Sequence, residues 1–233
     1  MAAPITIVIP TLNAAATLPA TLASLMPGIE AGLVADLIVS DGGSNDDTLK
    51  IANDVGAELV TGAVGRGGQL ERGTALGRGQ WLLLLHADTV LTPDWIDAAR
   101  DHLDGPTDEA GYFQLKFRAK GLAPGFVAFW ANTRARLFGL PYGDQGLLIS
   151  RDTLHSVGGV PDIPLMEDVA LARALRGRLK PLAATALTSA ERYERDGWLR
   201  RGARNLWILA RYLLGANPKT LARAYQGRAS GTD

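Results

Sequence analysis

Four short apolar segments, each followed by a segment with helical features, limit the folds open to this chain more than any other feature. The predicted strands are residues 5–9, 36–40, 58–60 and 81–85. The predicted helices that follow them are residues 15–25, residues 45–53, residues 70–76 and a segment opened by Thr92, Pro93 and Asp94. Strands that alternate with helices at this spacing predict crossover connections and a mainly parallel α/β sheet.

Polar side chains follow each of these strands. They are Thr11 and Asn13 after the first, Asp41 after the second, Arg66 after the third, and His86 and Asp88 after the fourth. Ligands of such sheets bind at the carboxyl ends of the strands. We therefore expect these residues, distant in sequence, to meet along one rim.

The second half of the chain is less regular. It contains a predicted edge or antiparallel strand at 112–117, an aromatic helix at 126–138, strands at 146–150 and 180–187, and a basic helix at 198–214. We expect one domain over residues 1–233, with a nucleotide-binding half at 1–110, a mixed half at 111–195 and a helical extension at 196–233.

Composition excludes several classes of protein. With 233 residues, of which 47% are hydrophobic, the chain can bury a sizeable core. Its 24 Lys and Arg balance 24 Asp and Glu, which gives no electrostatic reason to bind nucleic acid. It has no cysteine, so disulfides, Cys-ligated metals and a cysteine nucleophile are excluded.

The location of the chain is also an expectation. No basic, apolar signal segment opens the chain, and no apolar run approaches the roughly 18 residues of a spanning helix. We expect a cytoplasmic protein that contacts at most the inner membrane surface. The Arg- and Trp-containing helix at 198–214 is read first as a packed amphipathic helix, and membrane contact is its alternative.

Asp88 is a candidate metal ligand. It ends the segment His86-Ala87-Asp88 directly after a buried strand, at the edge where a ligand would bind. Carboxylate oxygens suit Mg²⁺ or Mn²⁺ when phosphates supply the other ligands. The alternative is that Asp88 only caps a turn before Thr92.

Two glycine-containing segments have comparable alternatives. Asp41-Gly42-Gly43-Ser44 lets a backbone approach a nucleoside, although a simple Asp-Gly turn is the better explanation of this segment taken alone. Gly65-Arg66-Gly67-Gly68-Gln69 places a guanidinium beside a helix start, which suits phosphate, but a solvent loop is an equal interpretation.

Glu167 and Asp168 form a paired carboxylate at a predicted helix start. Acidic residues are favoured in the first helical turn, so the pair has an ordinary structural explanation. Its functional interpretation is a general base held in a cleft.

The order of these motifs resembles that of family 2 glycosyltransferases. The first-half motifs are 9–13, 39–44, 65–66 and 84–89, and the later ones are 142–145, 158–159, 164–168 and 188–192. The fuller set is similar to a bacterial subgroup described as radical-SAM/selenodomain-associated transferases. The resemblance covers roughly residues 4–225.

The resemblance implies a GT-A fold and transfer of a sugar from a nucleotide-diphosphate-sugar, with UDP or GDP the first candidates, to an acceptor hydroxyl with inversion. It implies Mn²⁺ or Mg²⁺ at Asp88, and Asp168 as the base with Glu167 as its fallback. The residues assigned to nucleotide-sugar binding are Pro10, Thr11, Asn13, Asp41, Gly42, Arg66, Gln69, His86, Ala87, Asp88, Asp144, Gln145 and Arg192. The acceptor is unassigned, with a lipid-linked hydroxyl one option beside the basic C-terminal helix.

The chain departs from the family pattern at two positions. His86 replaces the first acid of the usual Asp-x-Asp, and Ala14 stands where many relatives have Glu. The sequence leaves two rival functions open. One is a sugar-phosphate nucleotidyltransferase, although Pro10-Thr11-Leu12-Asn13 is not the Gly-rich loop such enzymes carry, and the other is a non-catalytic nucleotide-sugar-binding protein.

Overall fold

The computed structural model describes residues 3–226. Within that range the strands are β1 Ile5–Thr11, β2 Val34–Asp41, β3 Glu58–Thr61, β4 Trp81–Leu84, β5 Thr89–Leu91, β6 Ala110–Phe117, β7 Leu147–Ser150 and β8 Leu179–Thr188. The α-helices are α1 Leu18–Glu30, α2 Thr48–Asp54, α3 Arg66–Leu76, α4 Trp95–Leu103, α5 Leu122–Phe138, α6 Arg151–Ser156, α7 Glu167–Ala174, α8 Glu191–Asp196, α9 Trp198–Leu213 and α10 Pro218–Gln226. A 3₁₀ turn spans Gly143–Gln145.

The strands form one mixed sheet in the order β3-β2-β1-β4-β7-β6-β8-β5. The first four strands in this order are parallel, as the alternation of strands and helices predicts. Their register places Thr11 opposite Asp41, so the carboxyl ends of β1 and β2 meet. Strand β7 then runs antiparallel to both β4 and β6.

Helices cover both faces of this sheet. Successive side chains of a strand point to opposite faces. Ile5, Ile7 and Ile9 therefore pack with Leu22 of α1 and Trp95 of α4 in one apolar cluster. Val8 packs on the other face with Leu70 of α3 and Leu171 of α7. The two layers hold the rim of polar residues at a fixed position.

The structure corrects three boundaries predicted from the sequence. Helix α3 begins at Arg66 rather than near residue 70, so the expected Gly-rich loop is mostly its first turn. Helix α1 begins at Leu18, with Pro19 in its first turn, and runs on to Glu30 through Pro27. Strand β6 begins at Ala110 rather than at residue 112. Of its two predicted settings, the antiparallel one is confirmed by its pairing with β7, whereas β7 and β8 flank it, so it is not an edge strand.

The sheet runs without a break across the boundary expected near residue 110. Strand β7 of the second half pairs with β4 of the first, and its Leu148 lies opposite Leu83. The last residues of the predicted C-terminal extension, 227–233, lie outside the described residues.

Candidate functional site

One cleft opens where the parallel strands end and the second half of the chain begins. We call it the central cleft. Its lining includes seven residues that the sequence assigns to function: Arg66, His86, Asp88, Asp144, Glu167, Asp168 and Arg192. They come from α3, the segment after β4, the 3₁₀ turn, α7 and α8. The fold therefore gathers residues that lie up to 126 positions apart in the sequence.

The turn after β2 is organised by Asp41. Its carboxylate accepts hydrogen bonds from Thr11 Oγ1 at 2.7 Å, from Ser44 Oγ at 2.6 Å, and from the backbone N–H groups of Gly43 and Ser44 at 2.7 Å each. Burial opposes ionisation, but these donors outweigh it and hold the pKa of Asp41 below its usual value. Four donors fill the acceptor positions of a carboxylate. In this structure Asp41 orders the turn instead of presenting a free acceptor.

Asn13 joins the loop after β1 to the same turn. Its backbone N–H donates to Ser44 Oγ at 2.8 Å, and its side-chain oxygen accepts from the N–H of Asn45 at 3.0 Å. Asn13 adopts a left-handed conformation with φ of 49°, a region that Asn tolerates better than most residues. Asn13 is exposed and Gly42 is half-buried, so both remain accessible beside the turn.

Gln69 lies inside the protein, and this corrects its assignment to ligand binding. Its side chain is 3% exposed, and its amide nitrogen donates to the carbonyls of Thr11 at 2.7 Å and Ser40 at 2.8 Å. Its amide oxygen accepts from the N–H of Gly65 at 3.2 Å. Gln69 thus attaches the start of α3 to the ends of β1 and β2.

Arg66 joins two of the predicted site residues. Its Nε lies 3.3 Å from Oε1 of Glu167, and its Nη1 lies 3.3 Å from Nε2 of His86. Burial, together with the charges of Arg66 and Arg192, holds the pKa of His86 well below its usual range. Neutral His86 can accept a hydrogen bond from the guanidinium at Nε2.

Glu167 is almost fully enclosed, at 2% exposed. Burial raises its pKa, the charge of Asp168 adds to that effect, and Arg66 opposes it. The carboxylate lies at the wall of the central cleft and pairs with Arg66 there.

Asp168 faces the central cleft from the first turn of α7. Its Oδ2 accepts from the N–H of Gly143 at 2.8 Å, and its Oδ1 accepts from the N–H of Val169 at 2.8 Å. Met166, two residues earlier, has a φ of 70°, an uncommon conformation for a residue with a side chain. Such strained positions concentrate at functional sites.

The 3₁₀ turn places Asp144 in the cleft and Gln145 behind it. Gln145 is fully buried, and its amide donates to the carbonyl of Phe113 at 3.1 Å, so its assignment to ligand binding is also corrected. Burial raises the pKa of Asp144 to about 6, and the nearby charges of Asp168 and Asp88 add to this while Arg134 opposes it. Asp144 Oδ1 is buried without a hydrogen-bond partner among the described residues.

Asp88 and Asp144 are the oxygen donors that fit a hard cation. Asp88 lies near enough for its charge to raise the pKa of Asp144. Both residues line the central cleft. Across residues 3–226, no three His, Asp or Glu side chains are grouped closely enough to hold an ion by themselves. This donor set suits Mg²⁺ or Mn²⁺ only when a ligand supplies further oxygens.

The remaining predicted residues are divided between core and surface. Pro10 is buried in β1, and Ala87 packs against the core. Arg192 is exposed at the cleft and close enough to lower the pKa of His86.

Sequence reasoning missed Arg134. This residue is 5% exposed, and its guanidinium lies 3.3 Å above the Tyr142 ring. It carries the positive charge that opposes the raised pKa of Asp144. The only sequence signal is its position inside an aromatic helix, and that position does not identify its partner.

Comparison with known proteins decides the family. The profile of Glycosyl transferase family 2 matches residues 6–123, just over half of the chain. The chain belongs to glycosyltransferase family 2. The match covers β1 to β6 and includes the turn at Asp41, the start of α3 and the segment at Asp88.

A curated protein is also similar to part of this chain. A PGL/p-HBAD biosynthesis glycosyltransferase of Mycobacterium bovis is 42% identical over 99 residues, which are 39% of this chain and 38% of that protein. The match thus spans well under half the length of the relative.

Solved structures confirm the GT-A fold implied by the resemblance. Glucosyl-3-phosphoglycerate synthase from Mycobacterium tuberculosis, solved with Mn²⁺, UDP and glucosyl-3-phosphoglycerate, aligns with a TM-score of 0.56 at 22% identity over 80% of this chain and 70% of that one. S. aureus TarS 1–349 aligns with a TM-score of 0.60 at 16% identity over 79% and 60%. At these identities the likeness is one of fold.

Proposed function

We propose that this protein is a metal-dependent, inverting glycosyltransferase that uses a nucleotide-diphosphate-sugar donor. The observation that carries the proposal is the central cleft, where Asp168 faces Arg66, His86 and Asp88. Membership of family 2 supports the reaction class. The similar structure of glucosyl-3-phosphoglycerate synthase, solved with Mn²⁺ and UDP, supports a UDP-sugar as the first donor to test. The narrower likeness to radical-SAM-associated transferases is part of the proposal.

On the donor side, the turn held by Asp41 and Asn13 would receive the nucleoside, and Arg66 would bind the diphosphate. The guanidinium suits phosphate, and its position at the N-terminus of α3 adds the partial positive charge of a helix end. Neutral His86 supplies a ring that can donate a hydrogen bond to ribose or phosphate oxygen. Glu167 keeps Arg66 in place through their ion pair.

Asp88 would hold the divalent ion, with Asp144 as the nearest additional oxygen donor. When bound, such an ion stabilises the negative charge that develops on a nucleoside diphosphate leaving group. Ionised Asp144 would gain a positive neighbour in this site, which offsets the burial that raises its pKa.

On the acceptor side, Asp168 would act as the general base. As the acceptor oxygen forms its bond to the anomeric carbon, the carboxylate takes the hydroxyl proton and the bond to the diphosphate breaks, with the electron pair leaving on the nucleotide. One displacement inverts the anomeric configuration. The hydrogen bonds from Gly143 and Val169 orient the carboxylate, and the enclosed position of Glu167 makes it the second choice.

A thermal-shift screen tests the donor side. UDP, GDP, CDP, ADP and dTDP would each be added with Mn²⁺, with Mg²⁺ or with EDTA, because a ligand that binds only the folded state raises its stability. We expect a shift with one base that depends on the metal and is lost in Asp88→Ala but kept in Asp101→Ala, a change at an exposed aspartate of α4.

Three other outcomes would contradict the proposal. A nucleotide-induced shift that is the same in EDTA as with Mn²⁺ or Mg²⁺ would remove the metal ion from the proposal. Diphosphate binding without transfer to a broad acceptor panel would favour a non-catalytic binding protein. Release of pyrophosphate from a nucleoside triphosphate and a sugar phosphate would favour a nucleotidyltransferase.

A further inference from the structure

Helix α9 carries large apolar side chains on its outer side. Leu206, Trp207 and Leu213 are 39%, 49% and 44% exposed. On the opposite side of the same helix, Arg201 and Asn205 line the central cleft. A surface helix of a globular protein normally buries its apolar side. Helix α9 buries Ile208 and Leu209 in this way, but it leaves Leu206, Trp207 and Leu213 on its outer side.

Helix α5 repeats this arrangement. Phe126, Phe129 and Trp130 are 63%, 67% and 42% exposed. Their spacing of three and four residues places them on one side of the helix, while Ala128 and Ala131 are buried on the other. Ala128, Ala131 and Trp198 of α9 share one apolar cluster, so the two helices lie together. We define the α5–α9 face as Phe126, Phe129, Trp130, Leu206, Trp207 and Leu213.

Positive charge is concentrated in the segments that carry this face. Residues 110–143 and 197–226 contain eleven Lys and Arg and no Asp or Glu, although the whole chain has 24 of each class. Lys120 before α5, Arg136 on α5 and Arg200 on α9 are exposed. The Arg211 guanidinium lies 4.8 Å from the ring centre of Trp207. Aromatic side chains mixed with basic ones are typical of helices that lie in a lipid interface.

We propose that the α5–α9 face docks on an anionic lipid bilayer. The basic residues match the negative potential of such a surface, and the aromatic side chains enter the boundary between headgroups and acyl chains. A second copy of this chain fits less well, because a face that meets itself would bring like charges together. None of the helices within residues 3–226 is long and apolar enough to cross a bilayer, so this contact is peripheral.

Docking in this way would also determine which class of acceptor the cleft can reach. Since α9 contributes Arg201 and Asn205 to the central cleft and Trp207 to the α5–α9 face, the width of one helix, about 10 Å, separates the cleft from the headgroups when the face is bound. The acceptor hydroxyl then belongs to an amphiphile held in that bilayer. This acceptor class rests on the proposed transferase function, whereas docking itself does not.

Vesicle co-sedimentation tests the docking. The probes are vesicles of phosphatidylcholine alone and of phosphatidylcholine mixed with phosphatidylglycerol. We expect binding about tenfold or more tighter to the anionic vesicles, with a decrease in high salt. Phe129→Ser combined with Trp207→Ser should reduce that binding about tenfold or more, because two exposed aromatic anchors are lost.

A matched control uses exposed apolar residues away from the face. Val55 and Leu76 are 42% and 43% exposed. Val55→Ser combined with Leu76→Ser should bind vesicles as the wild type does. Both double variants should keep the wild-type melting temperature and nucleotide-induced shift, which separates docking from folding and from donor binding.

Several results would overturn the inference. They are equal binding to both vesicle types, no binding to either, or a dimer in sedimentation velocity that the Phe129→Ser, Trp207→Ser variant loses. A nucleotide-induced shift without vesicle binding would remove the docking and leave the transferase proposal intact. Vesicle binding without any nucleotide-induced shift would support the docking and count against the transferase proposal.

Discussion

The backbone N–H of Gly143 donates a 2.8 Å hydrogen bond to Oδ2 of Asp168. A Cβ added at Gly143 would lie 2.4 Å from Nε2 of His86, so the same residue also packs against that ring. The turn at Gly143 therefore lies between Asp168, the candidate base, and His86, which is on the side of the cleft proposed to bind the diphosphate. Both contacts depend on backbone at residue 143, and a side chain there would disturb them.

Asp168→Asn should leave donor binding intact and lower the turnover number about 10²-fold or more, the scale of general-base catalysis. The amide keeps the shape of the side chain, but it can no longer take a proton. Turnover with the identified donor and acceptor, and nucleotide affinity by calorimetry, are the two measurements.

Glu167→Gln serves as the comparison for that variant. It removes the charge paired with Arg66, so we expect weaker donor binding and a smaller loss of turnover. Wild-type activity in Asp168→Asn together with an inactive Glu167→Gln would transfer the base role to Glu167.

Gly143→Ala should weaken nucleotide binding while the protein stays folded. The new methyl group must displace the His86 ring, a form of overpacking that costs about 1–3 kcal/mol. Calorimetry with the identified nucleoside diphosphate measures the affinity, and thermal unfolding measures the stability.

Gly125→Ala is the control for this substitution, since a Cβ at that exposed helical position meets nothing within 4 Å. It should be neutral or raise stability by roughly 0.5–1 kcal/mol. Equal nucleotide affinity in both variants and the wild type would mean that the His86 ring does not position the donor.

Gln69→Met should destabilise the protein and loosen the nucleoside turn. The change removes hydrogen bonds to the carbonyls of Thr11 and Ser40, and buried polar groups that lose partners cost about 1–3 kcal/mol. Urea unfolding measures the loss, and Gln114→Met, at an exposed position of β6, provides the control. A loss no larger than that of the control would show that the turn does not depend on Gln69.

The first half of the fold could be predicted because local pattern and topology agree there. Isoleucines at alternate positions and a Pro19 near a helix start are local signals, and parallel strands then bring Thr11 and Asp41 together. The start of α3 was placed too late because Gly67 and Gly68 disfavour a helix by propensity. Gly67 is enclosed, and an added Cβ would lie 2.1 Å from the carbonyl oxygen of Pro161, so tertiary packing decides that turn.

The contacts of the central cleft could not be read from the sequence in the same way. The sequence marks Gln69 and Gln145 as polar residues beside motifs, but burial and bonding to backbone carbonyls depend on elements far away in the chain. The 3.3 Å approach of Arg66 to Glu167 joins residues separated by 101 positions. Arg134 was missed because an arginine inside an aromatic helix gives no local sign of its partner Tyr142.

Asp36→Asn should lower stability near neutral pH by about 1–2 kcal/mol, and the difference should disappear in acid. Asp36 accepts hydrogen bonds from Thr6 Oγ1 at 2.8 Å, from the N–H of Arg78 at 2.7 Å and from its guanidinium at 2.6 and 2.8 Å. Burial opposes ionisation, but these contacts outweigh it and hold the pKa of Asp36 below its usual value. The folded state therefore binds fewer protons at this site than the unfolded state.

The stabilisation from this ionised carboxylate is fully present above the pKa of an unfolded aspartate, about 3.9. It is lost as the pH falls through the lower folded-state pKa, because the protonated group no longer pairs with Arg78. Urea unfolding of both proteins at neutral pH and at successively lower pH values down to about pH 2 measures the difference, with Asp101→Asn as an exposed control. A difference between wild type and Asp36→Asn that stays constant with pH would assign the loss to packing instead of to the charge of Asp36.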